Sequence, residues 1–535
     1  MCWPFFAKSR AVASSSTAPE CLDFMRSRLA HCNENHEDCM SSERQEPRPK
    51  RLLRIDDNGG GDSVKVLLLE TIDTSYKYVA LSHCWGSNNG AAGRPGMIPQ
   101  TTKENIGEHE SCGLSGVSLT RTFRDTLDVT RNLGIEYIWI DSLCIVQNDQ
   151  EEKNQEIPRM GSIYGGAYLV IAATLAENGD HGLYHKRRPW RIEFRTSTGE
   201  TLKGAVYEKS HHDVWKKGEQ FWAAPELPLF GRAWAFQERL LARRVVHFTP
   251  SELVWECCSS VDCECGDLQN PQTSWPEFGI GKNLKFKYRE VVRWGSDMDR
   301  MNFWHDICAQ YSARQITRVS DRLPALSSIA RQIDMPDILG NYLAGIWECT
   351  LPGGLLWWSE YTNPSLYPDG TKTHRRVRPS CVPTWSWLSI EGRVSTWGRC
   401  YVPLVRILHI HYIVSGKDVY GPCAEGAISV LGKAVAVKAV NATREDGPSD
   451  KEIQLPDGED SFDFITDTSP FELSDEDLQK SILLALRFAV GGPLYIHAVI
   501  LRLVPATTDR YERLGIAECP NEWFVGQTPS RITMV

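Results

Sequence analysis

The 535-residue sequence lacks the short motifs that mark the common nucleotide and hydrolytic enzymes. It has no Gly-x-Gly-x-x-Gly turn, no Walker loop, no His-Glu-x-x-His pair and no Gly-x-Ser-x-Gly elbow. Standard NTPases, zinc proteases and α/β-hydrolases are therefore disfavoured. It also lacks an excess of basic charge. The formal net charge is −9, so no global positive field draws the chain to nucleic acid. Uninterrupted apolar runs are missing as well. The longest such stretch, Ile482 to Val504, is broken by Arg487, by Gly491-Gly492-Pro493 and by Arg502, which excludes a membrane-spanning helix there. No secretory leader is visible, since the apolar run from Cys2 to Ala7 is short and contains Pro4. The 17 cysteines, an odd number in a long chain, then read as reduced thiols in a cytoplasmic protein.

What is present is an ordinary globular composition, 41% hydrophobic and 24% charged, with enough apolar residues for a sizeable core. Tryptophan is abundant, 18 residues against 17 phenylalanines, which suits a large aromatic core or the walls of a pocket. Residues 1–20 are expected to be disordered, and Glu20 to Cys39 helical. Arg51–Ile55 and Val64–Glu70 read as strands around the turn Asp57–Asp62. Tyr76–Leu81 reads as a strand followed by a loop after Trp85. Ser118–Leu133 forms a helix stopped by Gly134, and Ile135–Ile140 is a strand buried on both faces. Gln150–Tyr164 is a helix broken at Pro158, and Tyr168–Thr174 another buried strand. This alternation predicts an α/β domain with a mainly parallel sheet and flanking helices. Residues 180–229 look like an insertion. A helix from Gly231 to Leu241 and a hairpin, Val245–Phe248 with Leu253–Glu256, follow. Residues 266–300 read as a polar loop, and Phe303–Ile316 and Asp321–Ile333 as helices. Beyond residue 370 short strands dominate, with a mobile acidic loop from Glu445 to Asp477. The expected organisation is thus an N-terminal segment (1–50), an α/β domain (51–265), a helical region (266–370) and a smaller β-rich C-terminal domain (371–535).

Three blocks carry the chemistry. Tyr78-Val-Ala-Leu-Ser-His-Cys-Trp-Gly86 and Tyr137-Ile-Trp-Ile-Asp-Ser-Leu-Cys-Ile-Val-Gln147 are apolar strands that end in polar residues, and Arg232-Ala-Trp-Ala-Phe-Gln-Glu-Arg239 sets charges among aromatics. Strand ends on one edge of an α/β sheet are where ligands bind. Asp141, at the end of its strand, could bind a hydroxyl or act as a base, or merely cap the next turn. Cys144 as a nucleophile needs a base, which His83 supplies if the two strands are neighbours; a buried inert thiol is the commoner case. Trp85 and Trp234 could wall a pocket, with Gln147 and Gln237 as polar contacts, or pack the core. Arg232 could clamp a phosphate or carboxylate, or pair with Asp141 or Glu238 as a structural bridge. Glu238, inside an apolar helix, should have a raised pKa. A carboxylate beside a nucleotide pocket is what a glycosidic-bond hydrolase requires. Cys32, His36 and Cys39 share a helix face and could take a metal with Cys21 as fourth ligand, but inward packing of the cysteines is preferred. The spacing of Cys257, Cys258, Cys263 and Cys265 matches no regular zinc module. No resident metal or cofactor is therefore expected.

In order and wording, the three blocks resemble the fungal heterokaryon-incompatibility (HET) domain. So do Cys32-x3-His36-x2-Cys39, Arg51-Leu-Leu-Arg-Ile-Asp56, Tyr311-Ser-Ala-Arg314, Asp321-Arg-Leu-Pro-Ala-Leu326, Ala344-Gly-Ile-Trp-Glu348, Leu355-Leu-Trp357 and Pro383-Thr-Trp-Ser-Trp387. The chain departs from the usual wording at His83, where many members carry Tyr, and at Asn148-Asp149. The resemblance implies a flavodoxin-like fold akin to the Toll/interleukin-receptor (TIR) domain. It also implies a role in non-self recognition and programmed cell death through protein partners, self-association among them. By analogy with NAD-cleaving TIR enzymes, Glu238 would be the catalytic carboxylate, with Asp141, Arg232 and Trp85 holding the substrate.

Overall fold

A computed structural model of the chain describes residues 10–40, 48–56, 64–68, 76–86, 98–187, 190–195, 198–206, 212–216, 226–269, 283–360, 375–377, 382–396, 402–441, 451–456, 458, 461–468, 481–488 and 494–535. The first nine residues, the 57–62 turn and most of the loop after Trp85 lie outside this set. Two compact units divide the chain, Met1–Glu290 and Val291–Val535.

The first unit is built on one sheet. Its strands are β1 (Arg51–Ile55), β2 (Val64–Leu68), β3 (Tyr78–Ser82), β4 (Tyr137–Trp139), β5 (Leu169–Ala172), β8 (Arg244–Phe248), β9 (Leu253–Cys257) and β10 (Val261–Cys263). The hairpin β6 (Trp190–Arg195) and β7 (Thr201–Val206) stands apart within the 180–229 insertion. The sheet order is β10-β9-β8-β5-β3-β4-β1-β2. The four central strands are mutually parallel, and an antiparallel pair lines each side. Every residue of β3, β4, β5 and β8 is buried, as expected of strands covered on both faces. The helices are α1 (Pro19–Asn35), α2 (Glu37–Met40), α3 (Ile106–Ser111), α4 (Arg121–Asn132), α5 (Asp141–Cys144), α6 (Gln150–Glu156), α7 (Met160–Gly166), α8 (His212–Lys216) and α9 (Ala233–Leu241). In α4, Phe123, Leu127 and Thr130 bury one stripe, and Gly134 ends the element with φ +73°, a value open to glycine at no steric cost. Pro158 sits in a single turn of 3-10 helix between α6 and α7, where the break was expected.

The second unit pairs a helical part with a β-rich part. Helix Asp297–Ser312 opens on a capping box between Ser296 and Asp299, and Pro324–Ile333 buries seven of its ten residues. The sheet runs Arg406–Val414, Cys423–Gly432, Ser530–Met534, Arg510–Pro520, Ser461–Thr466, Lys451–Gln454, Ala434–Asn441, Ser481–Phe488 and Tyr495–Leu503. The last strand pairs back onto Arg510–Pro520, so six strands close into a ring. Alternate residues such as Ile496, Ala498 and Ile500 fill its core. A Cβ at Gly515 would stand 2.3 Å from the Ile465 carbonyl, so only glycine permits that strand crossing. Arg513 is fully buried, donating to Asp467 at 2.9 Å and lying 3.5 Å from the Trp357 ring centroid.

Three expectations failed. Residues 10–20, expected to be disordered, are ordered: Val12 and Ser16 are buried, Ser15 bridges Lys186 and α1 begins at Pro19. The acidic stretch from Glu445 to Asp477 contains the strands Lys451–Gln454 and Ser461–Thr466, because alternation in Ser-Phe-Asp-Phe-Ile-Thr outweighs the local charge. The region 266–300 contains the helix Leu284–Trp294, whose apolar spacing Leu284, Tyr288, Val291 was read as loop amid its lysines and arginines. Among the described residues no helix is long and apolar enough to cross a membrane. The described cysteines are all free thiols.

Candidate functional site

The parallel strands β4, β3, β5 and β8 end on the same edge of the sheet, and there the three blocks meet. β3 delivers Ser82, His83, Cys84 and Trp85; β4 delivers Asp141; α9 crosses the edge with Arg232 at its N-cap and Glu238 one turn from its end.

Asp141 is held from two sides. Its Oδ2 accepts the indole N–H of Trp85 at 2.9 Å, and its Oδ1 accepts the Ser142 backbone N–H at 2.7 Å. The second bond joins neighbouring residues in the first turn of α5, of which Asp141 is the first residue and Ile140 the N-cap. Gln147 does not face the cluster as a ligand contact. Its amide donates to the carbonyls of Asp141 at 3.0 Å and Ile145 at 3.1 Å, stapling the turn that carries Asp141. Arg232 donates to the carbonyl of His83, tying α9 to the end of β3. Replacing Asp141 by Ala removes both acceptors and should cost about 1–2 kcal/mol. Faster amide exchange at residues 83–86, followed by hydrogen–deuterium exchange mass spectrometry, is the expected signature.

Glu238 is 4% exposed and accepts from the Ser82 hydroxyl. Burial pushes its carboxyl up to about 7, against the opposing pull of Arg232 and the Ser82 bond, and with Asp141 pushing the same way. Gln237 is fully buried beside it, and Trp234 is half-buried against the core. Tyr164, on α7, donates to the Leu81 carbonyl at 3.1 Å, and burial raises its phenol well above the usual range. Neither Ser82 nor Tyr164 stands out in the sequence as a partner for Glu238. Ser82 lies inside a block, and Tyr164 carries no motif.

His83 is buried edge-on against Phe123, with ring centroids 5.2 Å apart. Its Nε2 lies 3.9 Å from Asp141 Oδ1, too long for a hydrogen bond, and has no partner among the described residues. Burial pushes its pKa down to about 4, more than Asp141 restores, so the ring is neutral near pH 7. Cys144 is buried at the end of α5, and desolvation pushes its thiol up to about 12. A thiol so held is not a ready nucleophile, and the structure records no bond between it and His83. The edge therefore brings together Asp141, Trp85, His83, Arg232 and Glu238, while Cys144 packs into the core.

An α/β unit whose polar strand tips are drawn together by one crossing helix is the class this arrangement defines. Residues 78–238, from the first residue of β3 to Glu238 itself, match the family model described as Heterokaryon incompatibility protein (HET). The chain thus carries a HET domain. No curated protein and no solved structure matches it.

Proposed function

We propose that this protein acts in non-self recognition and programmed cell death signalling, as the HET resemblance implies, in the cytoplasm and through protein partners or copies of itself. The pairing of the three blocks with one another carries this reading. Trp85 is spent on Asp141, Arg232 on the His83 carbonyl, and Ser82 on Glu238. Groups satisfied in this way hold a surface in shape. The order β4-β3-β5-β8 follows the 2-1-3-4 progression of flavodoxin-like sheets, which supports a TIR-like assignment of the domain.

A second reading, an NAD or nucleotide glycohydrolase, is favoured by one observation. His83 Nε2, Ser142 Oγ and Trp139 Nε1, all from the first two blocks, are buried without partners among the described residues, and burial holds the Glu238 carboxyl of the third block up at about 7. Orphaned polar atoms of that kind ask for water or a ligand. Induced expression of the full chain and of Glu238→Gln, which keeps an acceptor for Ser82 without the carboxylate, in a fungal host, with viability scored, separates the readings when combined with NAD incubation of the purified proteins. Retained killing by Glu238→Gln and no nicotinamide release from the wild type are expected. Nicotinamide release lost in the variant, together with killing, would replace the first reading by the second.

A further inference from the structure

Two groups of metal-ligating side chains lie at opposite ends of the β8–β9–β10 edge, apart from the Glu238 cluster. At one end, Cys32 from α1, His36 between α1 and α2, and Cys39 from α2 converge on Cys257, the last residue of β9. At the other, His212 of α8 and Glu252 converge on Cys263, the last residue of β10, and on Cys265 just beyond it. Within each group all four ligand atoms lie within 4.8 Å of one another.

We propose that this chain binds zinc at both places, with Cys32, His36, Cys39 and Cys257 as one site and His212, Glu252, Cys263 and Cys265 as the other. Four convergent donors, nitrogen and sulfur at the first place and nitrogen, sulfur and one carboxylate oxygen at the second, are a tetrahedral zinc set, and ligand atoms around such an ion stand roughly 3.5–3.8 Å apart. Cys257 Sγ and His36 Nδ1 are 3.4 Å apart, and no thiol of the group is oxidised. The cysteines of the first site are fully buried, so the ion would be closed off from substrate, as in a structural site. Its surroundings already suit a thiolate. Arg244 is 2% exposed, and its Nε donates to Cys32 Sγ at 3.1 Å. One zinc with three thiolates carries a net negative charge, which this buried guanidinium balances.

An independent observation carries the second site. The Nδ1 of His212 is held by Asp267 at 2.9 Å, which fixes the ring and directs Nε2 at the group, where it lies 2.7 Å from Glu252 Oε1. A carboxylate behind a histidine is the usual outer shell of a zinc ligand. Cys265 Sγ stands 3.8 Å from that Nε2, 3.5 Å from Glu252 Oε1 and 3.3 Å from Cys263 Sγ. The Cys265 backbone N–H donates to the other Glu252 oxygen at 2.8 Å, orienting the carboxylate. Each ion would join a segment remote in sequence, α1–α2 or α8, to the same sheet edge. Both sites use a residue that sequence spacing alone leaves unassigned: Cys257 in place of Cys21, and His212 from the insertion. Cys21 instead donates to Glu264 beside Arg187.

The test is elemental analysis of the full chain purified from zinc-supplemented cells without chelator. About two zinc ions per chain are expected, falling to about one in Cys257→Ser and to about one in Cys265→Ser. Cys258→Ser, next to the first site but outside its ligand set, should keep both. Because a ligand variant can fail to fold, cobalt(II) exchange into the wild type is the second measurement. Intense visible bands of tetrahedral cobalt with a thiolate charge-transfer band in the near ultraviolet are expected. A folded wild-type chain with neither zinc nor these bands would overturn the proposal. A single ion lost in Cys257→Ser and kept in Cys265→Ser would overturn the second site alone, and the converse the first.

Discussion

Arg51→Met should remove about 3–5 kcal/mol from the folding free energy of the first unit and lower its unfolding temperature by roughly 10 °C. Arg51 is 5% exposed at the start of β1, the strand next to the β2 edge of the sheet, and grips Glu152 with both arms, Nη1 to Oε1 at 2.6 Å and Nη2 to Oε2 at 2.9 Å. Glu152 also accepts the Val146 backbone N–H at 2.8 Å, just past the turn that carries Asp141. Burial pushes the Glu152 carboxyl up, but the Arg51 fork and the Val146 bond outweigh it and hold it at about 2. Losing the arginine leaves a buried carboxylate with Lys50, 3.1 Å away and near the surface, as its remaining cation. Calorimetry of the full chain measures the loss. Adding Glu152→Gln, which keeps an acceptor for Val146 without the charge, should restore part of it. A single variant as stable as the wild type would show that the pair is not desolvated as the structure has it.

Glu238→Gln should change the pH dependence of stability by roughly 3 kcal/mol between about pH 4.5 and pH 7. The folded-state carboxyl sits at about 7, above its ordinary value of 4.5. Below pH 4.5 it is protonated in both the folded and the unfolded chain, and the stability it contributes is fully present. As the pH rises, the unfolded chain releases the proton first, and that stability is lost through the folded-state pKa. Glutamine has no proton to lose, so the variant gains on the wild type as pH increases. Urea unfolding of both proteins at pH 5 and pH 8 gives the difference. A gap that does not change with pH would mean that Glu238 is ionised throughout and paired with Arg232. Glu152, with its pKa depressed, works in the opposite sense: its contribution is present above about pH 4.5 and fades as the pH falls towards 2.

The strands of the first unit were legible because parallel strands covered on both faces read as apolar runs that stop at polar residues. Tyr78–Ser82, Tyr137–Trp139 and Leu169–Ala172 show this, and their tips do share one edge. Pro158 announced its break. Leu284–Trp294 stayed hidden, since lysine and arginine stems cover apolar surface without registering as hydrophobic. Within the site, Asp141, Trp85, Arg232 and Glu238 were recognisable as residue types, but their partners were not. Whether Arg232 met Glu238, Asp141 or a backbone carbonyl depends on where α9 crosses the sheet edge.

Periodicity and strand ends, which are local, thus settled from sequence alone that this chain has an α/β unit with its polar tips on one rim and a β-rich region after it. Tertiary structure decided the rest, because burial and long-range proximity are properties of the packed chain. Only there does desolvation push up both the Glu238 carboxyl and the Cys144 thiol. Only there does the order of strands place Cys257 against α1, beside Cys32, His36 and Cys39, though more than two hundred residues separate them.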